Sequence, residues 1–185
     1  MLIFSVLFLA GISACDKEEV TPIDLQVESL GNDGGSDLKA ASGVLNFTAH
    51  LSGGEEVPAN DSRATGQAIF KLNKAGDVLS YKLIVAHLEN VLQSHIHLAV
   101  AGQNGPVVVF LYPPAPPAVL IPGFSSGILQ TGEITSDDLR GLLAGQDLSA
   151  LLDQMKTGGA YVNAHTTLFP GGEIRGQIQV NGLVD

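Results

Sequence analysis

Two short stretches hold the residues with chemistry to offer: Ser94-His95-Ile96-His97-Leu98 and, nearer the C-terminus, Tyr161-Val162-Asn163-Ala164-His165-Thr166. Neutral imidazole is a good ligand for copper and zinc and an equally good hydrogen-bonding group. Three such rings brought together could hold an ion or could bond to Asn163, Glu173 or backbone groups and lock strands to one another. A shared ion needs ring nitrogens that meet within about 4 Å, because Zn–N bonds run near 2.0–2.1 Å. The candidate metal set is therefore His95, His97 and His165, with Cu or Zn as the ion and Asn163, Glu173 and Arg175 as supporting residues. His50 and His87 complete the histidine complement without motif-like spacing.

Other chemistry finds little support. There is no G-x-S-x-G elbow, no phosphate-cradling loop and no Cys/His pair. Glu55 and Glu56 are adjacent, so an extended chain sends them to opposite sides and gives no paired-carboxylate site. Glu173 and Arg175 share an outward face, where a structural ion pair is expected. No acidic loop repeat points to calcium. No residue is assigned a catalytic role, and the reading is of a non-enzymatic protein.

The elements that must position the histidines are strands. Successive side chains of a strand point to opposite faces, so His95 and His97 share one face while Ile96, Leu98 and Val100 share the other. The same alternation groups Tyr161, Asn163 and His165 against Val162, Ala164 and Thr166. If the two strands lie close in one sheet, three imidazoles converge on a face turned away from the apolar side.

The rest of the folded region supports such a sheet. Residues 44–51 alternate as a first strand, with Leu45, Phe47 and Ala49 opposite Asn46, Thr48 and His50. Residues 66–73 and 78–86 read as a hairpin across Lys74-Ala75-Gly76-Asp77, with Ala68, Phe70 and Leu72 facing inward on one strand and Leu79, Tyr81, Leu83 and Val85 sharing a face on the other. Residues 87–93 read as a connection into the His95/His97 strand. Residues 107–112 form a continuous apolar run that suits a strand buried on both faces. The proline-rich 113–117 and the apolar 119–124 read as a loop that covers the mouth or an edge of the sheet, or offers a contact surface. A weaker strand is expected over 127–134.

Thr135 or Ser136 can cap a short helix, and Asp147 can cap a second over 148–156, where Leu148, Leu151, Leu152 and Met155 recur at helical spacing. Gly158 and Gly159 stop it. Residues 161–166 and 173–180 then close the domain as a hairpin, with Ile174, Ile178 and Val180 inward and Gly176 where a neighbour approaches closely. The expected class is all-β, a Greek-key-like β-sandwich or barrel with one or two short helices inserted before the last hairpin.

Composition agrees. A chain of 185 residues, 45% hydrophobic, with 22 Gly and 9 Pro clustered between short apolar runs, suits one turn-rich β domain plus extensions. A formal charge of −10 leaves no basic patch for nucleic acid. Residues 1–14 are uncharged, mostly apolar and end in small residues, as in a secretory leader, although no Lys or Arg precedes the apolar run. Ile12-Ser13-Ala14-Cys15 resembles the bacterial lipobox, in which the cysteine carries lipid. Cys15 is the sole cysteine, so the chain forms no disulfide within itself. Asp16-Lys17-Glu18-Glu19 resembles the signal that sends some lipoproteins to the outer face of the outer membrane. Residues 15–42 are acidic and Gly/Ser-rich and read as a tether from that anchor, with a reach on the order of 25–30 Å. The folded domain is expected over 43–185.

Several motifs occur in order: Leu51-Ser52-Gly53 with Glu56-Val57-Pro58, Ala64-Thr65-Gly66 with Ala68, His95-Ile96-His97 with Gly105-Pro106-Val107-Val108, and Tyr161 to Thr166 with Pro170-Gly171-Gly172-Glu173-Ile174-Arg175-Gly176-Gln177-Ile178. Together they resemble the CHRD family, the domain repeated in chordin and found singly in secreted microbial proteins. The resemblance covers roughly residues 43–180. In the family a glycine closely follows the second histidine, whereas here Leu98-Ala99-Val100-Ala101 intervenes before Gly102. The resemblance implies an extracytoplasmic β-sandwich or barrel. A fainter likeness to copper-zinc superoxide dismutase lies in the His-x-His strand and the late Gly-Gly segment, but that enzyme needs further histidines and a disulfide that this chain lacks. The expectation is a lipid-anchored envelope module that binds a protein or glycan. The alternatives are a Cu or Zn site with a redox role, and a self-associating envelope protein.

Overall fold

The computed structural model describes residues 44–184, and the expected leader, Cys15 and the tether over 15–42 lie outside them. Eight strands carry the fold: β1 (Val44–Ser52), β2 (Thr65–Leu72), β3 (Leu79–Leu98), β4 (Val107–Tyr112), β5 (Ile121–Ile134), β6 (Ala160–Thr166), β7 (Ile174–Gln177) and β8 (Gln179–Val184). One helix, α1 (Leu148–Lys156), and three short 3-10 turns complete it. The hydrogen-bonded path β2–β1–β7–β6–β3 returns to β2 through a further β2–β3 pairing, so these strands close a barrel. The all-β architecture expected from the sequence is the one adopted, with the barrel form realised.

The hairpin of β2 and β3 follows the reading residue by residue. Ala68 pairs with Leu83 and Phe70 with Tyr81, and all four side chains are buried. Asn73 ties the turn, its Oδ1 accepting the Gly76 N–H at 2.8 Å. The helix spans the expected residues, and its stripe of Leu148, Leu151, Leu152 and Met155 joins the single core cluster with Phe47, Phe70, Leu83, Ile96 and Val162. Aliphatic side chains dominate that core.

Three expectations are corrected. Residues 87–93 are not a separate connection: β3 runs unbroken for 20 residues. His87 and Asn90 take left-handed conformations, φ 57° and 52°, and pairing shifts register around them, so the strand bends where a loop was expected. On either side of the bend β3 has different neighbours, β2 before it and β4 and β6 after it.

The segment after the prolines does not stay a loop to Phe124. From Ile121 it is already β5, 14 residues long and paired with β3, with Gly123 and Gly127 at positive φ breaking the alternation that marks a strand in sequence.

The closing strand is also two. Ile178 interrupts the ladder, its N–H donating to the Ala160 carbonyl, and beyond it β8 crosses to pair with β1. Alternation does not carry across the break, so Ile174 and Ile178 are fully buried while Val180 is 45% exposed. Gly176 is where the neighbour comes close, as expected. A Cβ there would collide with the His50 carbonyl.

Candidate metal centre

Strand pairing sets the site. β6 runs antiparallel to the second half of β3, with His95 opposite Asn163, His97 opposite Tyr161 and Gln93 opposite His165. β7 adds Arg175 opposite Asn163, and β4 adds Phe110 opposite His95. Cross-strand partners share a face, so Arg175, Asn163, His95 and Phe110 form a row across four strands. Ile96, Val162, Ala164 and Ile174 take the other face and are fully buried in the core. The convergence read from the two stretches is therefore present.

The face is not solvated, however. His95, His97 and His165 are 3%, 8% and 6% exposed, and Asn163 and Arg175 are buried with them. The roof comes from loops whose backbone carbonyls reach down to the rings. His97 Nδ1 donates to the Gly105 carbonyl at 2.9 Å, and His165 Nδ1 donates to the Pro170 carbonyl at 3.0 Å. Gly105 allows this close seat, because a Cβ there would strike the Leu98 carbonyl. A neutral ring that donates from Nδ1 keeps its lone pair on Nε2. In His165 that lone pair faces His95 Nδ1 at 3.3 Å. In His97 it faces Asn163 Oδ1 at 3.0 Å, and the lone pair has a donor there when the amide is turned over to present its NH₂ end. His95 Nε2 is buried without any partner.

Each ring thus offers one nitrogen to a set whose members all lie within 4.8 Å of one another. The closest pair, 3.3 Å apart, meets the spacing for a shared ion, but the set as a whole, at up to 4.8 Å, is wider than the separation of about 4 Å that such bonds allow, so the rings would have to close in around an ion. The backbone carbonyls that fix the tautomers of His97 and His165 are the kind of outer partner that metal-ligating histidines have. A buried lone pair without a donor, on His95, is what a Lewis acid would satisfy. The residues present fit a copper or zinc ion with three imidazole ligands.

Electrostatics keep the rings neutral. Burial is the first cause in all three. It combines with the neighbouring His165 and His97 to lower the His95 pKa to about 3, and His97 and His165 are lowered too. His97 stacks on Tyr161, ring centroids 4.8 Å apart and planes 8° from parallel, and the Arg175 guanidinium sits 3.4 Å from the Tyr161 centroid. Arg175 donates to Asn104 Oδ1 and to the Val100 and Gln103 carbonyls.

The expected ion pair between Glu173 and Arg175 is absent. Glu173 instead accepts from the hydroxyls of Ser62 and Thr166, each at 2.6 Å, so the shared face does not bring the two charges together. Among the described residues the ion pair present is Lys156–Asp153, far along the chain on α1. His50 and His87 are exposed and lie outside the cluster.

Glu56 was missed. It is 7% exposed, its Oε1 has no hydrogen-bond partner, and burial raises its pKa to about 7 against the opposing pull of Arg175. Alternation places Glu55 and Glu56 apart but does not say which is covered. The carbonyls of Gly105 and Pro170 were also missed as partners, although both belong to Gly/Pro turns that the motifs had flagged.

A family model described as the CHRD domain matches residues 47–178, well over half of the chain and all of the site. No curated protein and no solved structure matches it.

Proposed function

Since the chain belongs to the CHRD domain family, we propose that it is a binding module of the cell envelope whose histidine cluster holds a transition-metal ion, Cu or Zn. One observation carries the reading: three buried imidazoles offer nitrogens within 4.8 Å, two of them with the opposite ring nitrogen committed to a backbone carbonyl. His95, His97 and His165 would be the ligands, and binding would require each ligating nitrogen to be free of its proton. Asn163 and Arg175 orient the cluster. The role is capture or carriage of the ion rather than turnover. Lipid on Cys15 would hold the module to a bacterial membrane on its extracytoplasmic side, at the outer membrane. Among the described residues no helix is long and apolar enough to cross one.

The test is a titration of the soluble protein lacking residues 1–15 with copper and zinc salts, repeated with His95→Ala and His165→Ala. Stoichiometric binding lost in both variants supports the reading. If the parent takes up no ion while the variants merely melt lower, the histidines are a strand lock and the reading fails.

A second reading, recognition of a protein or glycan, draws on a different place. Phe124 and Leu168, 74% and 77% exposed, flank a cavity of about 310 Å³ with Arg63, His87 and Glu89 at its rim. Screening the metal-free protein against envelope glycans and secreted proteins tests it, and binding unaffected by Phe124→Ala together with Leu168→Ala rules out that surface.

A further inference from the structure

The charge of the ion can be argued from what surrounds the three rings. Resting on the metal reading above, we infer that the cluster selects monovalent copper over Cu²⁺ and Zn²⁺.

The donor set contains imidazole alone, with no carboxylate or thiolate among the described residues in the group, so a bound ion keeps its full charge. The rings are at least nine-tenths buried. The cost of placing an ion in such surroundings grows with the square of its charge, so a dication is penalised about fourfold more than a monocation of similar size.

Arg175 adds to this. It is 1% exposed and permanently charged, and its hydrogen bonds end on neutral acceptors. Among the described residues no carboxylate comes within ion-pair distance of it. Its guanidinium carbon lies 3.4 Å from the Tyr161 centroid, which is 4.8 Å from the His97 centroid, so the cation stands no more than about 8 Å from the ring. Its field reaches the ring across that stack. Glu56 is the carboxylate that opposes that field, and burial works against its ionisation.

For an ion about 8 Å from the guanidinium, at an effective dielectric of about 20, one unit of charge changes a binding ratio roughly thirtyfold. Ligand type does not separate the ions, since imidazole suits copper and zinc alike and three imidazoles with a water can hold Zn²⁺, so the selection rests on charge.

The experiment is a set of competition titrations on the soluble protein: Cu⁺ under anaerobic conditions against a chromogenic chelator, then Cu²⁺ and Zn²⁺ against chelators suited to each. They are repeated with Arg175→Met and Arg175→Lys, and circular dichroism verifies that each variant is folded. Cu⁺ is expected to bind most tightly. In Arg175→Met its preference over Cu²⁺ should narrow roughly thirtyfold, equivalent to a fall of about 90 mV in the potential of the bound couple, and Arg175→Lys should keep most of it.

If Zn²⁺ or Cu²⁺ binds the parent protein more tightly than Cu⁺, the selectivity is refuted while the metal reading stands. If none of the three binds, the metal reading itself is refuted. A folded Arg175→Met with an unchanged Cu⁺/Cu²⁺ ratio overturns the role given to Arg175.

Discussion

His97 and His165 each give one ring proton to a loop carbonyl, while His95 gives its proton to His165 and is left with a buried lone pair that nothing answers. Neutral imidazoles in this setting make the metal-free protein sensitive to acid. The unfolded chain takes up protons near pH 6.5, but the folded chain refuses them at His95 down to about pH 3 and resists them at His97 and His165. In that window the unfolded state binds more protons, so stability falls as pH falls. Glu56 works in the opposite sense. Folded, it holds its proton up to about pH 7 and, unfolded, only to about 4.5, so its contribution fades as pH rises through that range. Three imidazoles outweigh one carboxyl. The melting temperature of metal-free protein should therefore drop steadily from pH 6.5 towards pH 4, and Glu56→Gln should steepen the drop. A flat or rising profile on acidification would contradict the burial of the rings.

At the scale of elements, α1 shows how far periodicity carries. Its four apolar residues at helical spacing all reach the core, and Leu151 is completely enclosed. Leu151→Ala should cost about 2–5 kcal/mol by removing buried methyls and leaving a void, whereas Leu142→Ala, 66% exposed, should cost little. Comparing denaturant midpoints of the two variants checks this, and equal midpoints would mean the helix does not pack as described.

The same periodic logic made the His95/His97 face legible, because each of β3 and β6 alternates without interruption where it matters. It failed at β5, whose two left-handed glycines hide a 14-residue strand, and at His87 and Asn90, where β3 bends without ending. Those features depend on which neighbour supplies the pairing, and a single segment of sequence does not contain its neighbour. Pairing partners also decided the fate of Glu173 and Arg175. Their common face was readable, but Tyr161 and the 100–104 turn that claim the arginine lie elsewhere in the chain.

For the whole molecule, the proposal divides the labour between the CHRD domain and an acidic stretch leading from an anchor at Cys15. The proposed anchor has a direct check. Expressed in a bacterial host, the full chain should partition into detergent and sediment with membranes, and Cys15→Ser should release it to the aqueous phase. Aqueous behaviour of the unaltered chain would remove the anchor and leave the metal site untouched. A formal net charge of −10 favours self-repulsion between copies.

The barrel's outermost residues add one more consequence. β8 lies antiparallel to β1, with Val44 directly beside Val184. The chain therefore enters and leaves this fold at neighbouring points. A unit with both doorways on the same side can be spliced into a host protein, or strung in series, without stretching or rethreading its interior. That geometry suits a domain that occurs alone in one protein and as consecutive beads in another.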